Sequence, residues 1–304
     1  MWTNKIWMKR PFNFGFHGPS AESNHFQQKL SHSETFIQQK AQQEFNGLVA
    51  TLRHAGLEVD VLPFDAEGES MDAVFLNNWF STHDNGLMVV YPMLVPERRT
   101  ERRQDMIDYI RSQYEVSQFW SMTHYEDRHL FLESTGSMVL DREHRVVYAC
   151  KSVRTSRTLL EKWAKRMDYQ LIIFDAFDMH GRPVYHTNVL MTMTPHYVMI
   201  NSSAIPKGDW KTLKSQFSKN NKKIIDISML QMNQFLGNAI VLQGRSDYPL
   251  LLMSSNAYRS LTLRQLYDLS SQMTIIHYPI PTIETVGGGS VRCMIAENFL
   301  ESKK

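Results

Sequence analysis

The sequence predicts an α/β fold: one pseudo-symmetric domain over residues 1–304, a five-bladed α/β propeller of ββαβ units with any active site in the central channel. Three observations carry this. Helix-period apolar patterns alternate with short apolar runs. The later four helical patterns recur at a spacing of roughly 50 residues, the size of a repeated supersecondary unit. No Pro-, Gly- or Ser-rich linker and no low-complexity segment divides the chain. A doubly wound α/β sheet would produce a similar alternation.

The first helical pattern runs from about Asn24 to His54, with Phe26, Leu30, Phe36, Ile37, Ala41, Phe45, Leu48 and Leu52 on one face. Gly56 ends it, and Leu57 to Leu62 alternates as a strand does. Further helices are expected to start near Arg102, Arg157, Asp209 and Asn256. Each precedes a short apolar run: Val116–Phe119, Leu171–Phe174, Ile224–Ile227 and Met273–Ile276. Strand pairs are expected between them, Ser137–Asp141 with Val146–Cys150 and Val184–Met193 with Tyr197–Asn201.

Composition is ordinary for a globular chain, 42% hydrophobic and 21% charged. A net charge of +2 makes no electrostatic case for nucleic acid. The clusters Arg98–Arg99, Arg102–Arg103 and Lys219–Lys223 read as solvated helix ends. The two cysteines, Cys150 and Cys293, make neither a disulfide framework nor a zinc site. The twelve histidines show no tight ligand pattern, so no metal and no cofactor is expected. Without an apolar leader or membrane-length segment, the chain reads as cytoplasmic and free of membrane. A homo-oligomer is compatible with all of this.

Polar residues interrupt the apolar pattern in particular places. Val74 to His83 reads as an apolar strand ending in two carboxamides, Asn77 and Asn78; paired asparagines suit a ligand site or a turn cap equally. In Phe131-Leu132-Glu133-Ser134-Thr135-Gly136, a carboxylate between bulky and small residues either points into a cavity, where it needs a partner, or sits at a solvated strand end. In Tyr185-His186-Thr187-Asn188, strand alternation would place His186 and Asn188 on one face, as a core pair or as a base beside a substrate-holding amide. Gly287-Gly288-Gly289-Ser290-Val291-Arg292-Cys293 either displays a nucleophile whose sulfur is surrounded by backbone N–H groups, or turns into a buried strand over Val291–Ile295.

In this order these segments resemble the amidinotransferase and arginine deiminase superfamily of guanidino-modifying enzymes. They are most similar to the branch containing bacterial citrulline utilisation hydrolases. Pro11-Phe12-Asn13-Phe14-Gly15-Phe16, Asn77-Asn78-Trp79-Phe80-Ser81-Thr82-His83 and Gln234-Phe235-Leu236-Gly237-Asn238 match that branch as well, so the resemblance runs from about Met8 to Phe299. One departure is Ser134, where the smaller glycine is expected beside the glutamate, which puts pocket size in question.

The resemblance implies Cys293 as nucleophile, His186 as general acid/base and Glu133 as the group orienting it. It implies Asn78, Asn188 and Asn77 as substrate-holding amides, with Arg154 and Arg292 as candidates for a substrate α-carboxylate. The implied reaction is hydrolysis of the ureido or guanidino group of a free amino acid, citrulline first and arginine or a substituted arginine second. Amide donors in place of carboxylates favour a neutral ureido group. Amidino transfer is a further expectation to weigh. A non-catalytic binding role is the reading from another class, since the same fold occurs in a translation initiation factor. Retention of Cys293, His186 and Glu133 favours an enzyme. Cys150 reads as core.

Overall fold

A computed structural model describes residues 2–63, 70–245 and 248–303. Among these, fifteen strands form five separate three-stranded sheets. The strands are β1 (Lys5–Lys9), β2 (Glu58–Leu62), β3 (Phe80–Thr82), β4 (Leu87–Val90), β5 (Gln118–Ser121), β6 (Val139–Asp141), β7 (Val146–Cys150) and β8 (Gln170–Phe174). They continue as β9 (Met191–Met193), β10 (Tyr197–Ile200), β11 (Lys223–Asp226), β12 (Ile240–Gln243), β13 (Pro249–Ser254), β14 (Thr274–Tyr278) and β15 (Ala296–Glu297). The orders are β15-β1-β2, β3-β4-β5, β6-β7-β8, β9-β10-β11 and β12-β13-β14. In every sheet the first strand is antiparallel to the middle one and the third is parallel to it. A doubly wound domain would have one continuous sheet instead.

Parallel pairing requires a crossover, and the predicted helices supply it. Arg157–Met167 joins β7 to β8 and buries Leu159, Leu160, Trp163, Ala164 and Met167 on one face; Asp168, with φ of 55°, ends it. Gln104–Gln113, Lys207–Lys219 and Leu263–Ser270 make the corresponding crossovers.

The middle strands are buried on both faces, and their alternate residues enter different cores. Val147 and Ala149 of β7 pack with Leu87 and Val89 of β4. Val146, Tyr148 and Cys150 pack with Val198 and Ile200 of β10. Tyr197 and Met199 of β10 meet Leu251 and Met253 of β13. Leu250 and Leu252 meet Ile6 and Met8 of β1. Trp7 of β1 meets Met88 and Val90 of β4, which closes the cycle.

Four expectations are corrected. The first long helix is Glu34–His54, capped by the Ser33 hydroxyl, and not a helix from Asn24. Asn24 is drawn out of it because its amide donates to the Gly287 and Gly288 carbonyls at 3.3 and 3.1 Å. Asn77 and Asn78 lie on a 3-10 turn, Leu76–Asn78, and not on a strand. His186 and Asn188 are not on one strand either: His186 is extended and Thr187–Leu190 is a helical turn, so β9 starts only at Met191. Val291–Met294 is likewise a helical turn and not a strand. Turns of three or four residues carry no periodicity, and their apolar neighbours imitate strands.

Candidate active site

The three helical turns just named and a fourth, Ser134–Ser137, each stand just ahead of the first strand of a sheet. A fifth turn, whose Asn238 N–H donates to the Phe235 carbonyl, stands ahead of β12. From these equivalent places come Asn78, Glu133, His186, Asn238 and Cys293.

Asn78, His186 and Cys293 line one small cavity with Asn24, Asp72, Phe75, Arg98, Arg154, Tyr185, Gly287 and Gly289. Its volume is about 10 Å³, room for about one water. Glu133, fully buried, lies behind His186: its Oε2 is 2.8 Å from His186 Nε2 and accepts from Arg154 Nη1 at 3.3 Å. The Leu94 N–H donates to its Oε1. Burial alone would raise this carboxyl, but Arg154, the His186 bond and Arg98 hold it well below the usual carboxylate range. Burial pushes the His186 imidazole down to about 4, against the pull of Glu133. The pair is therefore a carboxylate and a neutral imidazole at neutral pH. With Nε2 committed to Glu133, Nδ1 is the ring nitrogen free to take or give a proton.

Cys293 is 3% exposed. Its N–H donates to the Ser290 carbonyl, and Gly288, with φ of 62°, makes the bend that leads into it. Two carboxamides are aimed at the sulfur, Asn238 Nδ2 at 3.2 Å and Asn188 Nδ2 at 3.5 Å, beside a backbone contribution from Ser290 of the glycine loop. Burial raises the thiol, offset in part by Asn238, the backbone, Asn188 and Arg292.

Asn78 donates to Asn77 Oδ1 at 2.9 Å and accepts from Arg98 Nη1 at 2.9 Å. Asn77 does not line the cavity; it donates to the Thr135 hydroxyl and anchors its neighbour. Arg154 does line it, donating to the Ser20 carbonyl and Ser23 hydroxyl and lying over the Tyr185 ring. Arg292 is placed elsewhere: it pairs with Glu297 and donates to the Ile295 carbonyl, beside a separate cavity. Ser134 takes a φ of 44°, which accounts for the glycine expected there, and its hydroxyl donates to the Phe80 carbonyl instead of narrowing the site.

Sequence reasoning missed several members. Arg98, read as part of a solvated helix end, is 2% exposed and bound bidentately by Glu101. Asp72 accepts from the Ser20 hydroxyl and from Gln27, with His17 at 3.2 Å. Tyr185 donates to the Gly288 carbonyl. Charged residues without a motif leave no such signal, but Asn238 had one: its register in the repeat. Cys150 is buried core, with its thiol pushed up to about 12 by burial. Asp141, Glu143 and His144 bring possible metal-ligand atoms together outside the cavity, and there His144 Nδ1 bonds Asp141 instead. Among the described residues no helix is long and apolar enough to cross a membrane.

This geometry can be set beside known proteins. The family model for eukaryotic N,N-dimethylarginine dimethylhydrolase matches residues 10–300. No curated protein matches in sequence. Among solved structures, the substrate-bound N-terminal domain of ArgZ, an arginine dihydrolase of the ornithine–ammonia cycle in Cyanobacteria, is similar with a TM-score of 0.74 at 15% identity, over 96% of this chain and 97% of that one. Apo ArgZ gives 0.73 at 17% identity over 96% of this chain and 40% of that one, so the chain spans about two fifths of that relative. A dimethylarginine dimethylaminohydrolase adduct with S-methyl-L-thiocitrulline gives 0.64 at 14% identity, over 98% and 100%.

Proposed function

The chain belongs to the N,N-dimethylarginine dimethylhydrolase family, a branch of the guanidino-modifying superfamily and a family of cysteine-dependent hydrolases, and within that chemistry we propose that it hydrolyses the ureido group of free citrulline to ornithine, ammonia and carbon dioxide. The observation that carries the substrate choice is the hydrogen-bonding inventory around Cys293. A guanidinium offers only donors and calls for acceptors, whereas a ureido group needs a donor for its oxygen. Asn78 has its oxygen bound by Arg98 and only one N–H bound by Asn77, so it offers a donor. Asn188 lines the neighbouring cavity and reaches the site through its Nδ2, 3.5 Å from the sulfur, which adds a second carboxamide donor there. The cycle of shared cores supports the reading of the five sheets as blades of a propeller, with this site in its central channel.

The Cys293 sulfur attacks the ureido carbon, and an S–C bond forms. The C–N bond to the terminal nitrogen breaks, and His186 hands that nitrogen its proton as ammonia leaves. The site's one mobile proton is the Cys293 thiol proton, which reaches His186 as the sulfur becomes anionic. His186 then takes a proton from water, whose oxygen displaces the sulfur, and returns that proton to the sulfur as the thiol re-forms. The resulting carbamate loses carbon dioxide to leave ornithine. Glu133 holds the imidazole and compensates its charge throughout. Buried Arg98 and Arg154 suit a substrate carboxylate, and Asp72 an ammonium group. An amino acid exceeds a 10 Å³ cavity, so binding requires the lining side chains to give way.

A second reading has its own support: the similarity to the arginine dihydrolase ArgZ favours arginine carried through both hydrolyses. The test is ammonia release from L-citrulline, L-arginine and an N-methylated arginine, with the amino-acid product identified and Cys293→Ala as control. Ornithine from citrulline but not arginine is expected. Ornithine from both establishes the dihydrolase, and citrulline accumulating from arginine overturns the ureido argument.

A further inference from the structure

We propose that Asn238 is a positioning residue that stabilises the anion the Cys293 sulfur becomes on attack, so that the nucleophile is hydrogen-bonded by a pair of carboxamides, Asn238 and Asn188, and not by a cationic side chain. The placement is specific. Asn238 stands ahead of β12 where Asn78, Glu133 and His186 stand ahead of their own sheets, and it is fully buried. Its Nδ2 donates to the Asn188 carbonyl at 2.8 Å, which fixes the orientation of the amide, because only the nitrogen end can face a carbonyl. The second N–H of the same nitrogen is then directed to Sγ, 3.2 Å away. Thr192 clamps the backbone on both sides, donating to the Gly237 carbonyl and accepting from the Ala239 N–H.

Among the described residues no cationic side chain is hydrogen-bonded to the sulfur, and Arg292 acts on it only through space. The Arg292 guanidinium on the same turn is held by Glu297 and the Ile295 carbonyl. Arg98 and Arg154 are engaged by Glu101 and Glu133. Asn238 Oδ1 and Asn188 Oδ1 are both buried without partners, a cost that the bonds to a sulfur anion offset.

The inference rests on Cys293 being the nucleophile, and its test needs no substrate. The rate of Cys293 alkylation by iodoacetamide is followed from pH 6 to pH 10 on the full chain, with the modified cysteine identified by mass. Asn238→Ala is expected to label about tenfold more slowly at neutral pH, the scale of one hydrogen bond to a charged group, with its rise displaced to higher pH than in wild type. Asn188→Ala, losing the longer bond, should show a smaller effect in the same direction. His186, Asp72, Arg98, Arg154, Tyr185 and Arg292 stay in place in both variants, so a moved profile reports the lost donor.

A purely structural role would lower stability and leave the labelling profile of the folded protein in place; that result overturns the proposal. Should Asn238→Ala not fold, Asn238→Ser, whose hydroxyl is too short to reach the sulfur, decides by the same criterion. An unchanged alkylation profile sinks the carboxamide cradle whatever the substrate, whereas inactivity towards citrulline with a moved profile sinks only the substrate reading.

Discussion

At the scale of single residues, the site depends on close approach. A Cβ on Gly136 would lie 2.6 Å from Asn78 Nδ2 and 2.7 Å from His186 Cε1, so nothing larger than glycine lets those two side chains keep their places. Gly136→Ala should retain cooperative unfolding yet lose about 100-fold in kcat, the usual result of a displacement near 1 Å at the reacting groups; steady-state ammonia release measures it, and wild-type turnover would show that the groups move aside freely. The protonation pattern makes a second prediction. One proton, on the thiol at rest, must stay in the site. Activity should therefore fall at low pH only as His186 gains another, near 4, and at high pH as Cys293 loses the one it has. A plateau of kcat/KM through neutrality is expected, and an inflection near 6.5 would mean that the imidazole is not depressed. Glu133, His186 and Cys293 could be singled out as candidates because their motifs, taken in order, carry the resemblance to the guanidino-modifying superfamily; each motif alone also fitted a strand end, a core pair or a buried turn. Asp72, Arg98 and Tyr185 could not, because nothing near them in the chain records what they meet.

At the scale of elements, the helix Pro281–Gly287 carries the glycine loop and is held by two carboxylates. Glu44, from the helix Glu34–His54, accepts from the N–H groups of Thr282 and Ile283 at 2.9 and 3.0 Å. Glu284 accepts from the Ser290 hydroxyl at 2.7 Å, and burial raises its carboxyl to about 7, with Ser254, Ser290 and Asn256 opposing and Glu44 reinforcing. Between its ordinary value of 4.5 and about 7 the folded chain keeps a proton that the unfolded chain has released. Stability must fall as pH rises through that window, by up to about 3 kcal/mol. Glu284→Gln should lack this fall, and urea unfolding at pH 5 and pH 8 compares the two; parallel curves would refute the raised value. Elements with long periods were readable: Gln104–Gln113, Arg157–Met167 and Lys207–Lys219 start within two residues of their expected positions. The four helical turns of the site were read as strands or left undescribed. At Asn24–Leu30 two apolar residues fall into helical register, yet tertiary hydrogen bonds to Gly287 and Gly288 decide the backbone.

For the whole molecule the decisive feature is closure, because one sheet is assembled from both ends of the chain. β15 pairs with β1 through Ile6–Glu297 and Trp7–Ala296, and the Asn298 N–H donates to the Lys5 carbonyl. The Thr82 hydroxyl ties the same segment to β3, donating to the Glu297 carbonyl and accepting from the Phe299 N–H. Leu300, 3% exposed, locks it by packing with Trp7, Leu76 and Trp79. Bringing such distant segments together carries a loop-closure cost that only cooperative packing offsets. Cys293 stands three residues before β15, so the nucleophile should be no more firmly held than the closing strand. Leu300→Ala should then cost about 2–5 kcal/mol in denaturant unfolding, as a fully packed leucine does. In dilute urea, below the unfolding transition, the same variant should expose Cys293 to alkylation sooner than wild type does, while Cys150, buried between β7 and β10, stays protected until global unfolding. If both cysteines become reactive together, closure and the rest of the cycle form a single cooperative unit. If stability drops while Cys293 keeps its wild-type protection, the site is held by the turns ahead of the strands and not by the strand that completes the first sheet.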